Sequence, residues 1–148
     1  MKNASFFAAV LAFGAPSVAM AAADIAVHRD PGCGCCEQWA NQVRQQFARR
    51  VVIIDDSRRT ALQRAKGVPG RLASCHTAII DGMVFEGHVP IADMKRVLAQ
   101  RPRGITGLAV AGMPLGSPGM EVRGQAAQPF VVVAFGSAGQ RVFAHHGR

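Results

Sequence analysis

The sequence contains no tyrosine and one tryptophan, and aromatic residues fill 6% of its 148 positions. A protein that binds single-stranded nucleic acid stacks bases on aromatic side chains set among cations. That platform is missing. The excess of 17 Lys+Arg over 9 Asp+Glu, a net charge of +8, therefore reads as solvated helix faces. Lysine is scarce as well. After the N-terminal region only Lys66 and Lys95 occur, and the charge is carried by scattered arginines such as Arg44, Arg58, Arg64 and Arg101. There are no internal repeats and no low-complexity tract. Beyond the N-terminus no apolar run is long enough to span a bilayer. Cysteine is rare too, with four in the chain, and their placement is uneven.

The chain opens "MKNASFFAAVLAFGAPSVAMAAADIAV". Lys2 is the only charge before Asp24, and the apolar run is broken by Gly14 and Pro16. It ends in "AMAAA", which offers cleavage after Ala21 or Ala23. This is the pattern of a secretory signal peptide over residues 1–23. An uncleaved anchor is the competing reading, but the apolar core is short and rich in alanine. The expectation is a periplasmic domain over 24–148, with no membrane span once the leader is removed. That length supports one real core without disulfide staples. The compartment is oxidising, so a thiol there needs a disulfide, a metal or a reductant.

Periodicity divides the domain into elements. "DIAVH", 24–28, reads as a strand. Trp39, Ala40, Val43 and Phe47 recur at helical spacing in "CEQWANQVRQQFARR". "VVIID", 51–55, reads as a buried strand. A helix is expected over 57–67, with Ser57 as N-cap and Gly67 as its stop. "CHTAII" and "MVFEGHV" flank an Asp81-Gly82 hairpin turn, and a helix is expected over 90–102. "GLAVAGMPLGSPGMEVRGQ" reads as a long irregular loop. "FVVVAF" and "QRVFAH" then form a hairpin around Gly136 to Gly139. The order β-α-β-α-β-β-α is that of thioredoxin, where a cysteine turn also opens the first helix. The expected fold is a single α/β, thioredoxin-like domain with a mixed sheet, a Gly/Pro/Met loop and a C-terminal β-hairpin.

Three cysteines, Cys33, Cys35 and Cys36, crowd "DPGCGCCEQW", and the fourth, Cys75, stands in "ASCHTAII". A helix N-terminus carries unpaired N–H groups and partial positive charge, which lowers thiol pKa values. Thiolates there can attack disulfides or bind a soft metal. Cys33 and Cys36 form a C-x-x-C, which fits a redox pair or a structural disulfide, but Cys35 between them competes in any mixed disulfide. Zinc prefers two separated pairs, and the second pair is absent. Copper(I) takes few ligands and favours sulfur. Four thiolates exceed the needs of one such ion, and thiolates can bridge. The pattern points to a polynuclear, sulfur-bridged copper site.

Other soft ligands agree. Met113 and Met120 stand in a Gly/Pro/Ser loop, where core filling does not explain them. Met83 and Met94 read as core. His88, in "FEGHVP", closes a strand and joins the candidate ligands. His76 is expected to project away from the side of Cys75 if the strand is regular. His28, His145 and His146 read as ordinary histidines.

"DPGCGCCEQW", "GVPGRLASCHTAIIDGMVFEGHVP" and "GMPLGSPGME" together resemble the CopG-like family of bacterial periplasmic metal-binding proteins, linked to copper resistance. The similarity runs from about Val27 to Phe143. It implies a thioredoxin-like fold and a cysteine-bridged copper cluster held by Cys33, Cys35, Cys36 and Cys75. His88, Met113 and Met120 match motif residues expected near the cluster. Met83, Phe85 and Ala111 depart from the pattern without touching a candidate ligand. The implied role is a copper-binding protein of resistance or homeostasis, partnered by copper ions and other periplasmic copper-handling proteins, rather than an enzyme in the first instance. A copper redox role is one use of such a site. Two other readings stay open: a thiol–disulfide oxidoreductase using Cys33 and Cys36, and a secreted domain with two structural disulfides. The methionine loop separates them, because a dithiol enzyme does not need it.

Overall fold

A computed structural model of the chain describes residues 23–147. The leader reading falls on residues of which 1–22 lie outside that range. Among the described residues no helix is long and apolar enough to cross a membrane.

The elements are β1 (Ile25–Arg29), α1 (Gly34–Phe47), β2 (Val51–Asp55), α2 (Arg59–Ala65), β3 (His76–Ile80), β4 (Met83–Glu86), α3 (Ile91–Gln100), β5 (Gly107–Ala109), β6 (Phe130–Gly136) and β7 (Gly139–His146). A short 3₁₀ turn spans Gly70–Leu72. The seven strands form one mixed sheet in the order β2-β1-β3-β4-β5-β6-β7. β1 runs parallel to β2 and β4 parallel to β5, and the other neighbours are antiparallel.

Period-two alternation assigns β4 to two cores. Met83 and Phe85 face the larger core, which holds Trp39 and Val43 of α1 and Met94 and Val97 of α3. Val84 faces the smaller core with Val68, Leu72, Ala109 and Phe135. All four β4 residues are buried, so helices cover both faces of the sheet centre. The hairpin turn carries Asp81 at φ 48° and Gly82 at φ 80°, the pair of left-handed residues that a two-residue turn needs. The expected Met83, Met94 and Trp39 core positions are buried.

Two expectations need correction. The irregular stretch after α3 contains a strand, β5. It is only three residues long, too short to show a period, and it exists because β4 and β6 both lend it hydrogen bonds. Ser57 does not cap α2. The cap residue is Arg58, which has no side-chain cap bond, and Asp56 Oδ1 accepts from the Arg58 N–H at 2.9 Å instead.

Candidate metal centre

The Cys33-to-Cys36 turn is built from the end of β1. Arg29 pairs with His76 in the antiparallel β1–β3 ladder, so the next residue outward, Asp30, lies beside Cys75. The Asp30 N–H donates to the Cys75 carbonyl at 3.0 Å, and the Cys33 N–H donates to the Asp30 carbonyl at 3.1 Å. Sheet register thus brings the distant cysteine to the crowded three. Cys33 is the N-cap of α1, and its Sγ accepts from the Cys36 N–H at 3.3 Å. This is the capping role usually taken by a side-chain oxygen.

The Sγ atoms of Cys33, Cys35, Cys36 and Cys75 all lie within 4.8 Å of one another. Cys33 and Cys36 are joined in a disulfide, and Cys35 and Cys75 are free thiols. Cys35 Sγ is 3.5 Å from Cys33 Sγ and 4.0 Å from the Sδ of Met113. Cys75 Sγ is 3.2 Å from His88 Nε2. Burial pushes the Cys75 thiol up to about 11, so it keeps its proton at neutral pH unless a metal replaces it.

His88 is fully buried, and its Nδ1 lies 2.8 Å from the Pro118 carbonyl oxygen. A carbonyl only accepts, so Nδ1 carries the proton and Nε2 presents its lone pair to the sulfur. Burial lowers the pKa of this ring below its usual value. A ligating histidine is oriented by its far nitrogen in the same way.

His76 departs from expectation. Its Nδ1 is 3.6 Å from Cys75 Sγ, on the cluster side. Strand alternation fails here because Cys75 precedes the first residue of β3. The ring lies against Trp39 at 4.4 Å and edge-on to His88 at 4.9 Å between centroids. Its Nε2 is buried without a hydrogen-bond partner. Burial holds its pKa well below 6.5, and the neighbouring His88 adds to the effect.

The Gly/Pro/Met loop is a strap across the start of α1. Gly119 adopts φ +82°, and a Cβ there would sit 2.6 Å from the Cys35 carbonyl oxygen and 2.8 Å from the Trp39 nitrogen. Only glycine permits that conformation and approach together. The strap brings Met113 to Cys35 and Pro118 to His88. Met120 closes a turn inside it, its N–H donating to Ser117 O at 2.8 Å and its carbonyl accepting from the Gly116 N–H at 2.9 Å. The Met120 sulfur makes no hydrogen bond among the described residues. His28 and His146 lie elsewhere, paired with Asp56 at 3.0 Å and Asp93 at 2.6 Å.

Glu86 is a site residue that sequence reading missed. Its carboxylate is fully buried on the α2 side of β4. It accepts from Gln63 Nε2 at 2.5 Å, the Ser74 N–H at 2.7 Å, Thr77 Oγ1 at 2.6 Å and the Arg59 guanidinium at 3.4 Å. Burial raises its pKa, and these donors oppose the shift. Arg59 also donates to Asp30 at 2.8 Å. One buried carboxylate therefore holds both segments that flank the cluster. The only sequence signal was an acidic residue at a position whose strand neighbours are all apolar.

Residues 72–120 match a family model described as "Protein of unknown function, DUF411". That span holds Cys75, His88, Met113 and Met120 but not the three-cysteine turn. Among solved structures, the chain is similar to one named "Copper resistance protein copG- Form 1". The identity is 36%, with 86% of this chain and 100% of that one covered and a TM-score of 0.77. It is also similar to "Copper resistance protein copG- Form 2", at 37% identity, 83% and 97% coverage and a TM-score of 0.75. No curated protein matches the chain.

Proposed function

The chain belongs to the CopG-like family of copper resistance proteins, and on that premise we propose that it holds copper(I) in a polynuclear, cysteine-bridged site. The carrying observation is the convergence of four sulfurs within 4.8 Å. With the Cys33–Cys36 disulfide reduced, these become four candidate thiolates around one small volume. A single copper(I) ion takes fewer than four such ligands, so bridging between ions uses the donor set best. His88 and Met113 stand next to Cys75 and Cys35 as further soft donors, and Met120 is the more remote candidate. Copper is cargo in this reading. The strand order β2-β1-β3-β4, with the cysteine turn at the start of α1, supports the thioredoxin-like reading of the fold. The "AMAAA" boundary supports export, with a mature chain from about Ala22 or Asp24 working in the periplasm beside other copper-handling proteins.

The test is an anaerobic copper(I) titration of fully reduced protein. More than one equivalent per chain is expected for the wild type. Cys75→Ser should lose most of that capacity, because serine offers a hard, weakly acidic oxygen. Saturation at one equivalent, or full loading of Cys75→Ser, would defeat the polynuclear reading. The disulfide itself favours a second reading, thiol–disulfide exchange with Cys35 as an internal thiol beside Cys33. Reduction of a model disulfide at enzyme-like rates by metal-free protein would favour that reading over copper storage, transfer or redox chemistry.

A further inference from the structure

Beside the cluster lies a cleft of about 640 Å³. Cys75 and Ser74 form part of its lining. α2 contributes Arg64, the segment after it Val68, the 3₁₀ turn Gly70, and the start of the strap Gly112 and Met113. The three cysteines of the turn are not among its lining residues. The cleft therefore reaches the cluster from the Cys75 and Met113 side.

The charged residues lining the cleft are Arg59, Arg64 and Asp30. Arg59 is occupied by Asp30 and Glu86, and Asp30 is the only acidic residue lining the cleft. Arg64 is exposed on the cleft wall and joins no ion pair among the described residues. With Arg59 and Asp30 paired, the charge left on the wall is positive and favours an anionic ligand. The volume falls in the range of small-molecule sites, large enough for a short peptide thiol.

We propose that this cleft is a docking site for an anionic copper(I)–thiolate complex of a small carboxylate-bearing thiol, which delivers copper at Cys75. The proposal rests on the copper reading above. The delivery is a ligand exchange. Copper(I) leaves two carrier thiolates and forms bonds to the sulfurs of Cys75 and Cys35, whose protons pass to the departing carrier sulfurs. The oxidation state does not change, and both receiving thiols are already free with the Cys33–Cys36 disulfide in place. Arg64 holds the carrier's carboxylate, and the thioether of Met113, 4.0 Å from Cys35 Sγ, stands beside the incoming metal.

The test times copper transfer from a preformed glutathione–copper(I) complex to anaerobic, fully reduced full-length protein, by desalting and metal analysis. Two variants perturb the cleft away from the sulfurs. Arg64→Glu reverses the charge on the wall. Gly70→Trp fills the cleft from a position where a Cβ meets nothing within 4 Å. Each should slow loading about tenfold or more, the lower end of electrostatic steering. The wild-type rate should fall with added salt, and that dependence should be lost in Arg64→Glu. Loading from the acetonitrile complex of copper(I), a cation that carries no carboxylate, should not be slowed by Arg64→Glu and should reach the same total in both variants. Arg64→Glu loading from glutathione at the wild-type rate overturns the proposal, whether or not Gly70→Trp folds. A wild type that takes copper from neither source overturns the copper reading and this inference together. Loading from both sources that ignores the cleft variants overturns this inference alone.

Discussion

The Sγ of Cys75 lies 3.2 Å from the Nε2 of His88, and the other nitrogen of that ring donates to the Pro118 carbonyl at 2.8 Å. One histidine therefore links the fourth cysteine to the strap that covers the first three. Replacing it removes a neutral nitrogen donor and the strap's anchor at once. His88→Ala should weaken copper(I) binding by about tenfold or more, the lower end for losing a group that supports a metal. Competition with a chelator of known affinity measures this, and unchanged affinity would remove His88 from the site.

The two loop methionines should differ. Met113 Sδ is 4.0 Å from Cys35 Sγ, while Met120 is committed through its backbone to a turn inside the strap. Leucine keeps the volume of either side chain and deletes the sulfur. Met113→Leu should speed copper loss to a chelator several-fold, and Met120→Leu should change it little. Equal effects would show that the strap moves Met120 onto the metal.

Glu86 should matter most for stability. Glu86→Ala leaves Gln63, Thr77 and the Ser74 N–H without this acceptor in a buried place, and leaves the buried Arg59 with Asp30 alone. Breaking a buried charge pair from one side costs about 3–5 kcal/mol, more than most single changes. Urea unfolding of the metal-free protein measures it. A loss below about 1 kcal/mol would mean that water reaches these donors, since a surface pair contributes no more than that.

The metal-free protein should weaken on acidification. His76 and His88 are held neutral by burial, with pKa values lowered from 6.5, whereas the unfolded chain takes up protons there at about pH 6.5. A depressed folded pKa gives stability that is present above the unfolded value and lost as pH falls below it. Each such histidine contributes a slope of up to about 1.4 kcal/mol per pH unit. Glu86, whose folded pKa is raised from 4.5, acts in the opposite sense, with stability lost as pH rises through its folded value. The comparison of wild type with His76→Phe between pH 7.5 and 5.5 isolates the His76 part. The wild type should lose more stability than the variant, and parallel losses would exclude His76 as the cause.

Local patterns in the chain mark the elements that carry a strong period and name the candidate sulfur donors. The stripe Cys36, Trp39, Ala40 and Val43 repeats at helical spacing and is buried. The Asp81-Gly82 turn announces its hairpin because the backbone there must be left-handed. Three cysteines within four positions already lie close together in space, whatever the fold. Everything that depends on register between distant strands comes from the packed sheet. The pairing of Arg29 with His76 sets Cys75 beside the cysteine turn, and no local pattern encodes that pairing. β5 has too few residues for a period and is defined only by its neighbours. His76 turns toward the cluster because Cys75 lies just outside the strand, so alternation does not apply to the pair. Glu86 carries no local signal of burial beyond its apolar strand neighbours, and the covering of the second sheet face by α2 makes it a buried anchor. Local physics fixes dihedrals and spacing, whereas a metal-sized constellation needs several chain segments held within a few ångströms, which only the packed sheet can supply.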